Sequence, residues 1–287
     1  MPLLANTYAL HFALRYLTGR FINRTEKEMQ EIEALAAGLK AWGTWHTTTT
    51  LQECREACGG KGYLFENRIG TLKNDTDIYT TFEGDNTVLM QLVAKSRLTE
   101  FKREFSSMNA FSLLNYLAGQ AATAITEMNP LIVRNTDETH LLDPEFHLNA
   151  FRYRERTILT SAARRLKRHI DSGMDSFDAF NVCQHHMVDA AFAYIDRVIL
   201  EQFYRAVESI EDDGCKSVLK RLYNIFALNQ LDKHKAWYLE QGYMEGVKTK
   251  AIRRLLNQLC WEVRQDAVPL VNAFAIPDAC LAAPIAL

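Results

Sequence analysis

Two short segments hold the residues whose types and order could do chemistry: "CREACGGKGY", residues 54–63, and "TTFEGDNTV", residues 80–88. Gly59 and Gly60 follow a long helical pattern, and without a Cβ they let a backbone come close to a ligand. In the second segment Glu83 stands one residue before Gly84 and just ahead of a helix start. Backbone N–H groups there have no intrahelical acceptor and can hold a polar or anionic ligand group. A carboxylate partly removed from water at such a place has its pKa raised, which suits a general base near neutral pH. The same residues also allow a plainer function. Double glycines end many helices, and the helix dipole favours an acidic residue near a helix start.

The remaining chemistry-bearing residues point to less. "CQHH", from Cys183 to His186, collects ligand-type side chains, but consecutive residues on a helix point in different directions, so no metal site is expected. The basic run over 152–170, with Arg164, Arg165, Lys167 and Arg168, lacks interleaved stacking aromatics and fits a solvated helix face better than a nucleic-acid surface. His11 and His46 sit beside aromatics, as satisfied core or interface groups do. Tyr63, Tyr79 and Phe82 fit packing roles, with Tyr79 and Phe82 near enough to Glu83 to line a pocket.

Helices must position all of this. The chain has 287 residues with only 6 prolines and 13 glycines, and its long Leu-, Ala-, Glu-, Lys- and Arg-rich runs predict an all-α fold. A first, largely apolar helix is expected over 3–22, one that needs partners on several sides. Thr25 and Glu28 form a capping box for a long helix ending at Gly59-Gly60, with Thr47 to Thr50 as poor helix formers inside it. Residues 61–82 are the least helical part of this half. Asp85 or Asn86 caps a helix over 87–105, and another spans 106–128 before Asn129-Pro130. Residues 134–147 form a connector in which Asp143 and Pro144 start a helix reaching Ser172. Asp175-Ser176 start the next, to about Ile210, and two or three shorter helices follow "EDDG".

Composition sets limits on function. A hydrophobic content of 48% and a formal charge of −2 describe an ordinary globular chain with no general attraction for nucleic acid or anionic membrane. Six scattered cysteines without a CxxC pair suggest buried thiols in a reducing compartment. Every apolar run is interrupted by charge before spanning length, no leader opens the chain, and "APIAL" at its end is not a Ser-Lys-Leu signal. A cytoplasmic location is the expectation.

The two segments, in this order and spacing, resemble the C-terminal half of an acyl-CoA oxidase in the acyl-CoA dehydrogenase/oxidase superfamily. "CREACGGKGY" resembles the glycine-pair flavin motif, and "TTFEGDNTVLMQ" the oxidase form of the catalytic turn, where dehydrogenases more usually have Glu-Gly-Thr-Ser-Gln. The opening "LLANTYALHFA" and closing "LVNAFAIPDACLAAPIAL" also fit. The resemblance implies a partial helical domain over 1–106, of the dehydrogenase C-terminal type, followed by a second helical bundle over 107–287. It implies FAD as cofactor and a fatty acyl-CoA as substrate, oxidised to a trans-2-enoyl-CoA with electrons passed to O2 to give H2O2. Glu83 takes the place of the base that removes the α-proton, and its own N–H helps polarise the thioester carbonyl. Gly59 and Gly60 match the glycine pair that approaches FAD, often across a dimer interface, and Gly84 would lie against the thioester. Glu56, where dehydrogenases commonly have a flavin-contacting glutamine, and Asp85 and Thr87 are the remaining cofactor candidates. A homodimer, or association with an N-terminal half, is the implied assembly, and the chain alone is expected to be nearly inactive. The other readings are a dehydrogenase using another electron acceptor and a non-catalytic helical interaction module.

Overall fold

A computed structural model describes residues 1–107, 129–281 and 283–286. Among these residues every regular element is a helix. The long ones are α1 (Pro2–Ile22), α2 (Met29–Ala57), α3 (Ile69–Asp77), α4 (Asn86–Ser107), α5 (Pro144–Asp171), α6 (Gln184–Glu208), α7 (Asp213–Lys233) and α8 (Gly246–Val263). The helix expected over 106–128 lies almost wholly outside the described residues.

Local sequence explains most helix ends. The Glu28 carboxylate accepts from the Thr25 amide at 3.2 Å and the Thr25 hydroxyl at 2.6 Å, ahead of α2. Asp143, Asp175 and Asp212 each accept a hydrogen bond from an early backbone N–H of the helix they precede, at 2.9, 2.8 and 2.7 Å. Along this part of α2, Thr44 and Thr47 donate to the carbonyls four residues back, each at 3.0 Å, and Thr7 of α1 meets His46, just before the Thr47–Thr50 run, at 2.9 Å.

Residues 61–82 are the least helical part of the first half, as expected, but they hold α3, whose residues are all at least partly exposed and which docks on α2, between short 3-10 turns. Two expectations need correction. The helix expected from Ser176 to Ile210 breaks at Cys183, whose amide is shared between the Ala179 and Phe180 carbonyls and tightens the turn before α6. The C-terminal part contains two long helices, α7 and α8, besides the short ones at Lys235–Glu240 and Ala267–Asn272.

Helix α6 is the axis of the assembly, packing against α1, α2, α4, α5 and α7. One apolar core runs from Ala5 and Tyr8 through Leu39 and Met90 to Ile199, Phe226 and Leu270. Tyr8 of α1 donates to the Leu270 carbonyl at 2.7 Å, tying the first helix to the last. Helix α2 approaches α6 closely because Gly38 has no side chain: a Cβ there would lie 2.2 Å from Ile195 Cδ1. One turn further on, Trp42 Nε1 donates to buried Asp196 at 3.0 Å. Arg154 of α5 reaches the other carboxylate oxygen at 3.1 Å, and His234 lies 3.7 Å away. Burial alone would raise the Asp196 carboxyl, but His234, Arg154 and Lys233 outweigh it and hold the group at about 2.

Breaking this hub leaves a buried charge without its partner. Arg154→Met should therefore cost about 3–5 kcal/mol in urea unfolding, against less than about 0.5 kcal/mol for Lys167→Ala in the exposed Lys167–Asp171 pair. The pH dependence has a defined sign. Burial pushes both His46 and His147 down to about 4 from 6.5, so the unfolded chain binds more protons within that window. Stability should be complete above pH 6.5 and decline as pH falls toward about 4, by a few kcal/mol in urea titrations across the range.

Candidate active site

The Glu83 turn is built between α3 and α4 and gripped from below by α2. The amides of Thr81 and Phe82 both donate to the Ile78 carbonyl, at 3.0 and 2.9 Å, which closes the short 3-10 turn over residues 78–80. The chain then reverses through two left-handed residues, Glu83 at φ 54° and Gly84 at φ 105°. Gly84 is forced: a Cβ would sit 2.9 Å from Leu89 Cδ2. Glu83 is not glycine, and an L side chain in that region costs about 1–2 kcal/mol. Strain of this kind persists where surrounding contacts over-determine the backbone.

Those contacts centre on Lys40 of α2. Its ammonium donates to the Phe82 carbonyl at 3.1 Å, the Gly84 carbonyl at 2.8 Å and Asn86 Oδ1 at 3.0 Å. Asn86 is buried, and its amide nitrogen donates to Thr44 Oγ1 at 2.8 Å and the Ala41 carbonyl at 3.3 Å. Asp85 caps α4, its Oδ1 accepting from the amides of Thr87 at 2.9 Å and Val88 at 3.3 Å. The Glu83 side chain is exposed, with the rings of Tyr79 and Phe82, 5.3 Å apart and also exposed, preceding it in the chain.

The double glycine closes α2. Gly59 is left-handed at φ 56°, and a Cβ at Gly59 or Gly60 would meet no atom within 4 Å, so both backbones face open space. Gly62 is the tightly constrained member of the segment, since a Cβ there would come within 2.1 Å of the Arg55 carbonyl oxygen. Glu56 is exposed on the last turn of α2, paired with Gln52 and 3.7 Å from Arg55. Asn67, almost wholly buried, donates to the Lys61 carbonyl at 2.8 Å and accepts from the Ile285 amide at 3.0 Å. The C-terminal tail is thereby tied to the glycine segment.

The structure brings Glu83, Gly84, Asp85 and Thr87 together on one turn, and Glu56, Gly59 and Gly60 at one helix end. It does not bring the two groups together within a chain. The Glu83 turn sits at Lys40 and the glycines follow the end of α2, roughly 28 Å along the helix axis. Lys40, Asn67 and Gly62 were missed by the sequence reading. No pattern around position 40 marks Lys40, whose acceptors lie more than forty residues downstream. His11 is exposed and His46 is mostly buried. The cysteines are not all the buried thiols expected: Cys183 is buried, but Cys54, Cys215 and Cys280 are exposed. Among the described residues no cluster of three metal-type ligands occurs, and no helix is long and apolar enough to cross a membrane.

Comparison with known proteins agrees with this architecture. Residues 143–287 match the family model for acyl-CoA oxidase, and residues 1–98 match that for the acyl-CoA oxidase C-alpha1 domain. The chain belongs to the acyl-CoA oxidase family. Peroxisomal acyl-coenzyme A oxidase 2 of Arabidopsis thaliana is 41% identical over 291 residues, covering 100% of this chain and 42% of that protein. Peroxisomal acyl-coenzyme A oxidase 3 of Homo sapiens is 31% identical over 99% of this chain and 43% of its own length. The structure of Arabidopsis thaliana acyl-CoA oxidase 1 superposes with a TM-score of 0.84 at 27% identity, over 99% of this chain and 43% of that one. Acyl-CoA oxidase-1 of Caenorhabditis elegans, solved in complex with FAD and ATP, shares the fold at 21% identity and a TM-score of 0.84, over 99% of this chain and 42% of its own. The chain thus spans about two fifths of the length of these relatives. The cytoplasmic expectation is overturned, because the oxidase 2 of Arabidopsis thaliana and the oxidase 3 of Homo sapiens are both described as peroxisomal.

A non-glycine residue held left-handed works against folding. Glu83→Gly is therefore expected to leave the thermal midpoint of the chain unchanged or raise it by a few degrees, on the order of 1 kcal/mol. Asp85→Ala, which removes the cap of α4, should instead lower stability by about 1 kcal/mol in the same melts.

Proposed function

We propose that this chain supplies the catalytic base and part of the flavin surface of a peroxisomal enzyme that oxidises fatty acyl-CoA to trans-2-enoyl-CoA. The observation that carries the reading is the Glu83 turn: an exposed carboxylate on a strained, tethered left-handed residue, inside a chain of the acyl-CoA oxidase family. The first 106 residues carry both motifs, and residues 107–287 supply the supporting bundle.

Glu83 removes the α-proton of the thioester. As that proton leaves, negative charge grows on the thioester oxygen, and the Glu83 N–H is the donor from this chain that meets it. Gly84, next in the chain, would lie against the thioester. FAD, when bound, supplies the acceptor for the β-hydrogen and passes the electrons on to O2 as H2O2. The open space at Gly59 and Gly60 fits close approach of such a cofactor, and Glu56, Asp85 and Thr87 offer polar groups near the two motifs. Because Glu83 and the glycine pair lie far apart along α2, one flavin site takes its glycines from a second copy of the chain, which makes the working assembly a homodimer.

A non-catalytic interaction module is the second reading. It draws on the exposed apolar side chains of Tyr63 and Phe65, 75% and 86% accessible, beside the glycine segment. Flavin binding separates the two. Protein that recovers a flavin spectrum on addition of FAD supports the enzyme, and a colourless, stably folded oligomer supports the module. In the FAD-loaded protein completed by an N-terminal half, Glu83→Gln should reduce acyl-CoA-dependent H2O2 formation by at least about 10²–10⁴-fold and leave the flavin content unchanged. Retained turnover in that variant would remove Glu83 from the role of base.

A further inference from the structure

All three of the Lys40 ammonium N–H groups are committed to the Glu83 turn. Two of its acceptors are the carbonyls on either side of Glu83, those of Phe82 and Gly84. No peptide bond here is cis. In a planar trans peptide the N–H points opposite to the C=O of the same unit. Drawing the Phe82 and Gly84 carbonyls toward one ammonium therefore turns the amides of Glu83 and Asp85 toward the other face of the turn. Among the described residues neither amide has an acceptor, whereas the neighbouring amides of Phe82, Thr87 and Val88 all do.

We propose that Lys40 is a positioning residue that aims and polarises the Glu83 backbone N–H as the donor to the thioester carbonyl oxygen. The inference rests on the oxidase reading of Glu83. Its electrostatic part follows from the chemistry of the peptide unit. An ammonium hydrogen-bonded to the Phe82 oxygen withdraws electron density from that peptide and strengthens its N–H as a donor, as hydrogen bonds in series do. The cation thus acts on the developing oxyanion through one peptide unit without touching substrate. Its own aim is fixed from behind. Lys40 leaves α2 between buried Leu39 and Ala41, two residues before the Trp42 that is pinned to Asp196. Asn86, its third acceptor, is itself bonded to Ala41 and Thr44 on the same helix.

A purely structural role would make Lys40 a plug for two carbonyls, and two measurements tell the roles apart. In the 287-residue chain labelled with ¹⁵N, Lys40→Met is expected to move the amide proton resonances of Glu83 and Asp85 upfield, with the rest of the helical spectrum retained; Lys40→Arg should return them most of the way. In the FAD-loaded protein, Lys40→Met should lower kcat roughly tenfold, less than the 10²–10³ of losing an oxyanion donor outright, with KM and flavin content unchanged, and Lys40→Arg should recover most of it. Asn86→Ala is the folding control: it loosens the same turn but leaves the ammonium on both carbonyls. Unmoved Glu83 and Asp85 resonances, or a kcat loss no greater than that of Asn86→Ala at equal loss of stability, would overturn the proposal. If the FAD-loaded protein completed by an N-terminal half forms no H2O2 from acyl-CoA, the oxidase reading fails by itself, and the resonance shifts still decide whether Lys40 polarises the turn.

Discussion

Asp196 has given up nearly all of its water, and a buried carboxylate is tolerable only while its partners stay in place. Those partners come from different parts of the chain: Trp42 from α2, Arg154 from α5, and His234 from the residue that follows α7. A slip of α2 along α6 by one turn would separate the indole from the carboxylate and bring a side chain into the space that Gly38 leaves against Ile195. Charge and missing volume therefore specify the same register. The Glu83 turn inherits it, since Lys40 leaves α2 between Gly38 and Trp42.

That inheritance explains how a strained turn can be stable. A left-handed glutamate works against folding, and the opposing contributions are local: three hydrogen bonds from Lys40, two from Asn86, and an Asp85 cap on α4. What the arrangement achieves is an exposed carboxylate next to two free backbone donors. A helix packed for stability alone would have satisfied those donors or avoided the left-handed residue.

The second motif shows the opposite economy. Gly59 and Gly60 face open space while Gly62, two residues on, is the one that packing requires. Around them Tyr63, Leu64 and Phe65 stand exposed. Exposed apolar surface of that size is unusual beside a helix end, and it stands next to the glycine backbone that no side chain covers. Helix α2 sets the separation of the two motifs, so that distance is built into one rigid element.

Legibility followed the range of the interaction. Helix starts at Asp85, Asp143, Asp175 and Asp212 could be read from sequence because a cap and its amides lie within three residues of one another. The glycine pair and the Glu-Gly step were legible for the same reason, as local backbone chemistry with few alternatives. The short helix α3 was not, because its hold on α2 comes from contacts between separate segments. Lys40 was invisible as well: nothing near position 40 hints that its acceptors lie more than forty residues downstream. The sequence by itself determined the helical class, the family-type motifs and the candidate base, since these depend on residue type and near neighbours. Only the tertiary structure decided the register of α2 on α6, the grip of Lys40 on the turn and the distance between the motifs, because those depend on long-range packing that no local pattern encodes.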